Sequence, residues 1–327
     1  MDRRTFLCAA SALAATGFTR AAAASVAPAS GDLSLIVPFP PGGGGDILAR
    51  AVTSEMAAVT GTRWIVMNRP GAGGNIGAAH VAKAAPSAET IGYVTNGILC
   101  VNPHLYPTAR FDPQRDLIPV AGLTEIGLVA VVNPAVMPEA TDFERFIALA
   151  ANSNEPLTFA SAGNGTSSHL AGILFSSQAG IPLRHIPHPG GAIAVKEVLA
   201  GRVSLMIDVM PNVLPHIRRG ALKALAVTSL DRSPLLPEVP TMAEAGLARV
   251  CLTAWDGLAA PVGFPEAGVR AIEVAARRAL AMSRLEERLA RLGAHARFRD
   301  ASAFADFIAL EAPKWKTLAL KARAARS

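Results

Sequence analysis

Four segments of this chain put glycine, proline and small polar residues at the ends of apolar runs, a composition that lets a backbone close on a small anion. The first reads Pro38-Phe39-Pro40-Pro41-Gly42-Gly43-Gly44-Gly45-Asp46 and the second Asn68-Arg69-Pro70-Gly71-Ala72-Gly73-Gly74-Asn75. The third, Ser161-Ala162-Gly163-Asn164-Gly165-Thr166-Ser167-Ser168-His169, is rich in hydroxyls; the fourth is Pro187-His188-Pro189-Gly190-Gly191-Ala192. Without a Cβ, glycine lets main-chain atoms come close to a ligand. Each segment enters a helical pattern, whose start offers free N–H groups and a partial positive charge. Asp46 can cap the helix that follows or hold a polar group of the ligand. One such turn is most often plain connection, but four that each follow a strand point to a shared cleft.

Other chemistries fit less well. There is no Gly-Lys-Ser/Thr for a P-loop and no Gly-x-Gly-x-x-Gly at the first strand-to-helix turn, so nucleotide binding is poorly supported. Ser161 or Ser167 with His169 could supply a nucleophile and a base, as in a hydrolase, yet no Gly-x-Ser-x-Gly elbow surrounds them. A serine at a helix start is far more often a cap. His185 and His188 are three apart, but Pro187 and Pro189 forbid a helical metal face, and His80, His104 and His216 stand alone. The sequence therefore calls for no catalytic residue, no metal and no cofactor.

The elements that must carry these loops alternate strand and helix. Residues 33–39 read as a buried strand and 64–67 as the next strand, and 46–60 and 75–84 as helices, the first closed by Gly61. The rhythm returns with a strand over 157–160, a helix through His169 to Ala179 capped by Gly180, and strands over 203–207 and 224–228. A βαβα order of this kind predicts mostly parallel sheets covered by helices. Apolar stretches at 117–132 and 250–260 bracket a self-contained βα region, the pattern of a chain that crosses to a second lobe and returns.

The N-terminus sets the compartment. Arg3 and Arg4 precede an apolar, Ala-rich run and the small residues Ala21 to Ala24, which reads as a twin-arginine-like secretory signal cut near Ala24. Its loss removes Asp2, Arg3, Arg4 and Arg20, lowering the formal charge from +6 to about +4. That modest surplus suits an anionic ligand. Scattered basic residues and 5% aromatics do not suggest nucleic acid. Cys8 leaves with the signal; Cys100 and Cys251 could pair in an oxidising compartment, and are read first as separate buried thiols.

In order along nearly all of the mature chain, these residues resemble the Bug-type receptors, the periplasmic solute-binding proteins of tripartite tricarboxylate transporters. The resemblance rests on Val37 to Gly43 with Asp46 and Arg50, on Asn68 to Gly74, and on Ser161 to Thr166 with His169-Leu170. It continues through Leu199-Ala200-Gly201-Arg202-Val203 with Asp208, Ala226 to Ser229 with Arg232, Pro240 to Gly246, and Trp255 to Pro261. It implies an α/β Venus-flytrap fold of type II: residues 25–131 and 251–327 form one lobe, 132–250 the other, and a ligand cleft lies between them. It also implies that a ligand carboxylate is held, partly through water, by Pro41, Gly42, Gly43, Gly44, Gly45 and Asp46 on one lobe. Ser161, Ala162, Gly163, Asn164, Gly165 and Thr166 would face them from the other. Asn164 and Asp208 are candidates for reading the distal group, and His188, Gly190 and Gly191 complete the set. The chain departs from the family where His188-Pro189-Gly190 replaces an aromatic-Lys-Gly triplet, and where 85–93 replaces an Asp-Gly-Tyr-Thr turn. The expected activity is capture of a small organic anion, a carboxylate, by lobe closure and delivery to membrane transport components. Presentation of the ligand to a sensor histidine kinase fits the same sequence. A monomer is the default for a closing receptor.

Overall fold

A computed structural model describes residues 32–86, 89–107 and 111–324; the signal segment 1–24 lies outside them. In chain order the first elements are β1 (Asp32–Val37), α1 (Gly44–Thr60), β2 (Arg63–Asn68), α2 (Asn75–Ala82), β3 (Thr90–Thr95), α3 (Asn102–Leu105), α4 (Pro113–Asp116) and β4 (Leu117–Val132). Next are α5 (Phe143–Ala151), β5 (Leu157–Ser161), α6 (Ser167–Ala179), β6 (Leu183–Pro187), α7 (Gly191–Leu199), β7 (Leu205–Val209), α8 (Met210–Arg218) and β8 (Lys223–Val227). The chain ends with β9 (Thr253–Pro261), α9 (Glu266–Leu280), α10 (Ser283–Arg291), β10 (Ala294–Arg299) and α11 (Ala301–Ala324).

The strands follow the order β2-β1-β3-β9-β4-β7-β5-β6, with β8 and β10 also paired to β4. Within each lobe the strands of consecutive βαβ units run parallel: β1 with β2 and β3, and β5 with β6 and β7. The crossing strands add antiparallel pairs. β4 pairs with β9 from Leu117 to Gly127, then with β7 and β8 from Leu128 to Val132, so one 16-residue strand belongs to both sheets. This is a two-lobed α/β periplasmic-binding-protein fold.

Local chemistry explains the pieces. β1 is buried along Leu35, Ile36 and Val37 because helices cover both faces of a parallel sheet. β2 borders that sheet and alternates exposed with half-buried residues, as a strand with one covered face does. α1 and α6 stop at Gly61 (φ +72°) and Gly180 (φ +66°), the left-handed positions where glycine costs least. Where β4 changes sheets, buried Thr228 joins both crossings. Its Oγ1 accepts from Leu128 N–H at 3.2 Å and donates to Leu252 O at 2.6 Å, and Leu252 lies just ahead of β9. α11 covers the junction with Phe304 packed edge-on to Trp255, ring centroids 5.8 Å apart. Among the described residues no helix is long and apolar enough to cross a membrane.

Candidate functional site

The carboxyl ends of β1, β3, β5, β6 and β7 converge between the lobes, the usual place for a ligand in open α/β sheets. Each loop has a fixed shape. In the first, Gly42 (φ +77°) donates its N–H to Asp46 Oδ2 at 3.0 Å, while Asp46 Oδ1 accepts from Arg50 Nε at 2.9 Å and Asn68 Nδ2 at 2.7 Å. Burial works against the Asp46 charge, but the bonds from Arg50, Asn68 and Gly42 outweigh it and hold the carboxyl below its ordinary range. In the third loop Thr166 Oγ1 donates to Gly163 O at 2.6 Å and Ser168 Oγ accepts from Ala162 N–H at 2.9 Å.

The two rims touch. Gly44 N–H donates to Asn212 Oδ1 at 2.7 Å, Tyr106 OH to Asn164 O at 2.9 Å, and Ser167 Oγ to Asn96 Oδ1 at 3.1 Å. Gly190 lies so close to Pro40 that an added Cβ would sit 2.6 Å from its ring. The lobes are in contact across the cleft, and two adjoining compartments, each open on one side, lie between them. The deep one, about 610 Å³ including its mouth, is lined by Gly43, Gly44, Gly45, Ala162, Thr166, Gly191 and Asp208, together with Tyr93, Asn96, Ser167, Ser168, Asn212, Trp255 and Asp256. The outer one, about 550 Å³, is lined by Gly71, Gly73, Gly74, Tyr106, Gly163, Asn164, His188 and Gly190. Phe39 and Ala162 border both.

Eleven of the sixteen residues expected from sequence therefore line a compartment, and five do not: Pro41, Gly42, Asp46, Ser161 and Gly165. Asp46 and Gly42 shape the loop from behind. Ser161 is fully buried, with Oγ 2.7 Å from His185 Nε2, and not paired to His169, whose Nδ1 accepts from Gly165 N–H. β5 and β6 lie parallel with Phe159 opposite His185, so His185 and Ser161 point to the same face of the sheet, away from the cleft lining.

Sequence reasoning missed Asn96, Tyr106, Asn212, Trp255 and Asp256. Asn96 follows the last residue of β3, and the rule that selected the glycine loops, polar residues at strand carboxyl ends, applies there too. The deep compartment has two buried acids. Burial pushes Asp208 up to about 7 against the bonds from Asn212 and Val209 N–H, and pushes Asp256 up to about 6 against those from Tyr93 and Thr124. Asp208 also crowds the start of α7, where a Cβ on Gly191 would stand 2.9 Å from its Oδ2. Among the described residues no Lys, Arg or His lines this compartment, so the donors for an anion are main-chain N–H groups, hydroxyls and the Asn96 amide. Four buried side-chain polar atoms among the described residues have no partner, and three of them belong to residues at the interlobe surface: Asn96 Nδ2, Asn102 Oδ1 and His188 Nε2. Buried polar groups are otherwise almost always paired.

The model of the tripartite tricarboxylate transporter family receptor matches residues 48–323. The chain belongs to this family. As a family receptor it is a solute-binding protein and not an enzyme. Protein BugT of Bordetella pertussis is 37% identical over 258 residues, covering 77% of this chain and 78% of BugT. MatC from Rhodopseudomonas palustris, solved with bound malate, is 32% identical with a TM-score of 0.82, over 88% of this receptor and 98% of MatC. An R. palustris protein solved with adipate is 28% identical with a TM-score of 0.85, over 89% of this receptor and 97% of that chain.

Proposed function

We propose that this protein is an exported, periplasmic receptor whose lobes close on a small organic anion, a carboxylate, and which delivers it to the membrane components of a tripartite transporter. In this reading the signal is removed near Ala24, and the two moving bodies divide within β4 between Gly127 and Leu128, just ahead of the 131/132 bound expected from the sequence, and again at the approach to β9. The observation that carries it is the pair of partnerless buried atoms on Asn96 and His188, residues that line the deep and the outer compartment. A receptor that closes around polar cargo keeps such groups for the cargo to pair. The malate and adipate of the two R. palustris structures supply the chemical class. Closure is driven only by extra affinity of the ligand for the closed form.

The test is a thermal melt of residues 25–327 with malate, succinate and adipate, and with their diamides as controls. A carboxylate at about 100 times its Kd stabilises the fold by about 2.7 kcal/mol, and the melting shift grows with concentration. No shift with any acid, together with an empty pocket by mass spectrometry of the denatured protein, would sink the carboxylate reading.

A further inference from the structure

Asn96 is fully buried, lines the deep compartment, and is held from two sides. Its Oδ1 accepts from Ser167 Oγ of the opposite lobe at 3.1 Å and from Trp255 N–H on β9 at 3.5 Å. A main-chain N–H can only donate, so the oxygen must face Trp255 and the amide cannot be flipped. Nδ2 is therefore fixed as a donor, and it has no partner. An amide N–H left unsatisfied in the core is costly, and the compartment that Asn96 lines can supply the missing acceptor.

The other donors around that compartment are largely spent. Gly44 N–H is taken by Asn212 and Tyr93 OH by Asp256, while Asp208 stands against the start of α7. What remains near Asn96 is the start of α6, where Ser167 and Ser168 line the compartment and the first N–H groups have no intrahelical acceptor. Resting on the carboxylate reading above, we infer that Asn96 Nδ2 donates to a ligand carboxylate oxygen seated at the start of α6, making Asn96 a specificity-determining residue of the receptor. The same side chain bonds to the far lobe through Ser167, so recognition and closure meet in one amide. With no cation lining the compartment, this neutral donor decides between an acceptor head group and a donor head group.

The test uses residues 25–327 and calorimetric titration with malate, succinate and adipate and with the corresponding monoamides. Asn96→Ala should weaken the acid that binds best by about 10- to 100-fold, the value of a hydrogen bond to a charged group. Asn96→Asp keeps the oxygen that faces Ser167 and Trp255 but turns the donor into an acceptor. It should weaken the acid further and shrink the preference for acid over monoamide by at least about tenfold, a change that loss of packing cannot produce. Ser167→Ala removes the cross-lobe bond together with a hydroxyl that lines the compartment but leaves the Asn96 donor in place, so it should change the preference for acid over monoamide less than Asn96→Asp does. Circular dichroism and ligand-free melting establish that each variant is folded; if the aspartate variant is not, the alanine variant decides. Acid binding within twofold of the unaltered chain in folded Asn96→Ala overturns the assignment of Asn96. An unaltered chain that binds none of the acids overturns the carboxylate reading itself, and the assignment with it.

Discussion

At the scale of single residues, the site is governed by which polar groups are already committed. Asp208 is 2% exposed and its carboxyl is pushed up to about 7 by burial. A free aspartate titrates near 3.9, so between that value and about 7 the folded state holds a proton that the unfolded chain has released. The stability linked to this proton is full below the unfolded pKa and is lost as pH rises through about 7. Asp208→Asn cannot ionise, and its amide oxygen can still accept from Asn212. Denaturant melts should therefore show the variant gaining on the unaltered chain between about pH 4 and pH 8, by roughly 1–3 kcal/mol. A difference that stays flat with pH would mean that Asp208 ionises freely in the fold. The glycine loops that frame this residue were legible in the sequence because glycine in a strand-to-helix turn has a backbone reason to be there. Asn96 and Asn212 were not. Their partners Ser167 and Gly44 lie 71 and 168 residues away, and no local window contains both halves of such a bond.

At the scale of elements, the alternation of strands and helices could be read because each βαβ unit buries its own apolar pattern. What escaped were contributions from small residues and from long-range pairing. Lys321, Arg323 and Arg326 give the C-terminus the composition of a solvated helix end, yet in α11 Ala319 and Ala322 are buried beside Leu318 while Lys321 and Arg323 stay outside; residues 325–327 lie outside the described residues. Alanine gives too weak an apolar signal to mark a core face. Thr228 is a similar case, since its role comes from joining Leu128 and Leu252 at the point where both crossings pass. Thr228→Val keeps the shape and removes the hydroxyl, leaving Leu128 N–H and Leu252 O without this partner. The expected cost is about 1–3 kcal/mol in urea unfolding, as for unsatisfied buried groups. A loss below a few tenths of a kcal/mol would show that the crossings are held by their ladders alone.

At the scale of the whole molecule, function depends on the balance between open and closed forms, and Asn212 ties that balance to the cleft. Its Nδ2 donates to Asp208 Oδ2 at 2.6 Å, which fixes the amide so that Oδ1 faces across the gap and accepts from Gly44 N–H at 2.7 Å. The second of these bonds exists only when the lobes meet. Asn212→Ala removes it and also takes one partner from the buried Asp208, so the ligand-free melt should fall by about 1–3 kcal/mol while the closed population falls as well. A receptor that must close before it holds its ligand loses apparent affinity in proportion to that population. One hydrogen bond of about 0.5–1.5 kcal/mol corresponds to roughly a two- to tenfold rise in Kd for the best-binding carboxylate. Small-angle scattering supplies the independent reading: the ligand-free variant should be at least as expanded as the unaltered chain, and both should contract to the same radius at saturation. Weaker binding with an unchanged ligand-free radius and a saturated form that stays open would instead place Asn212 in building the closed state's geometry rather than in setting its population.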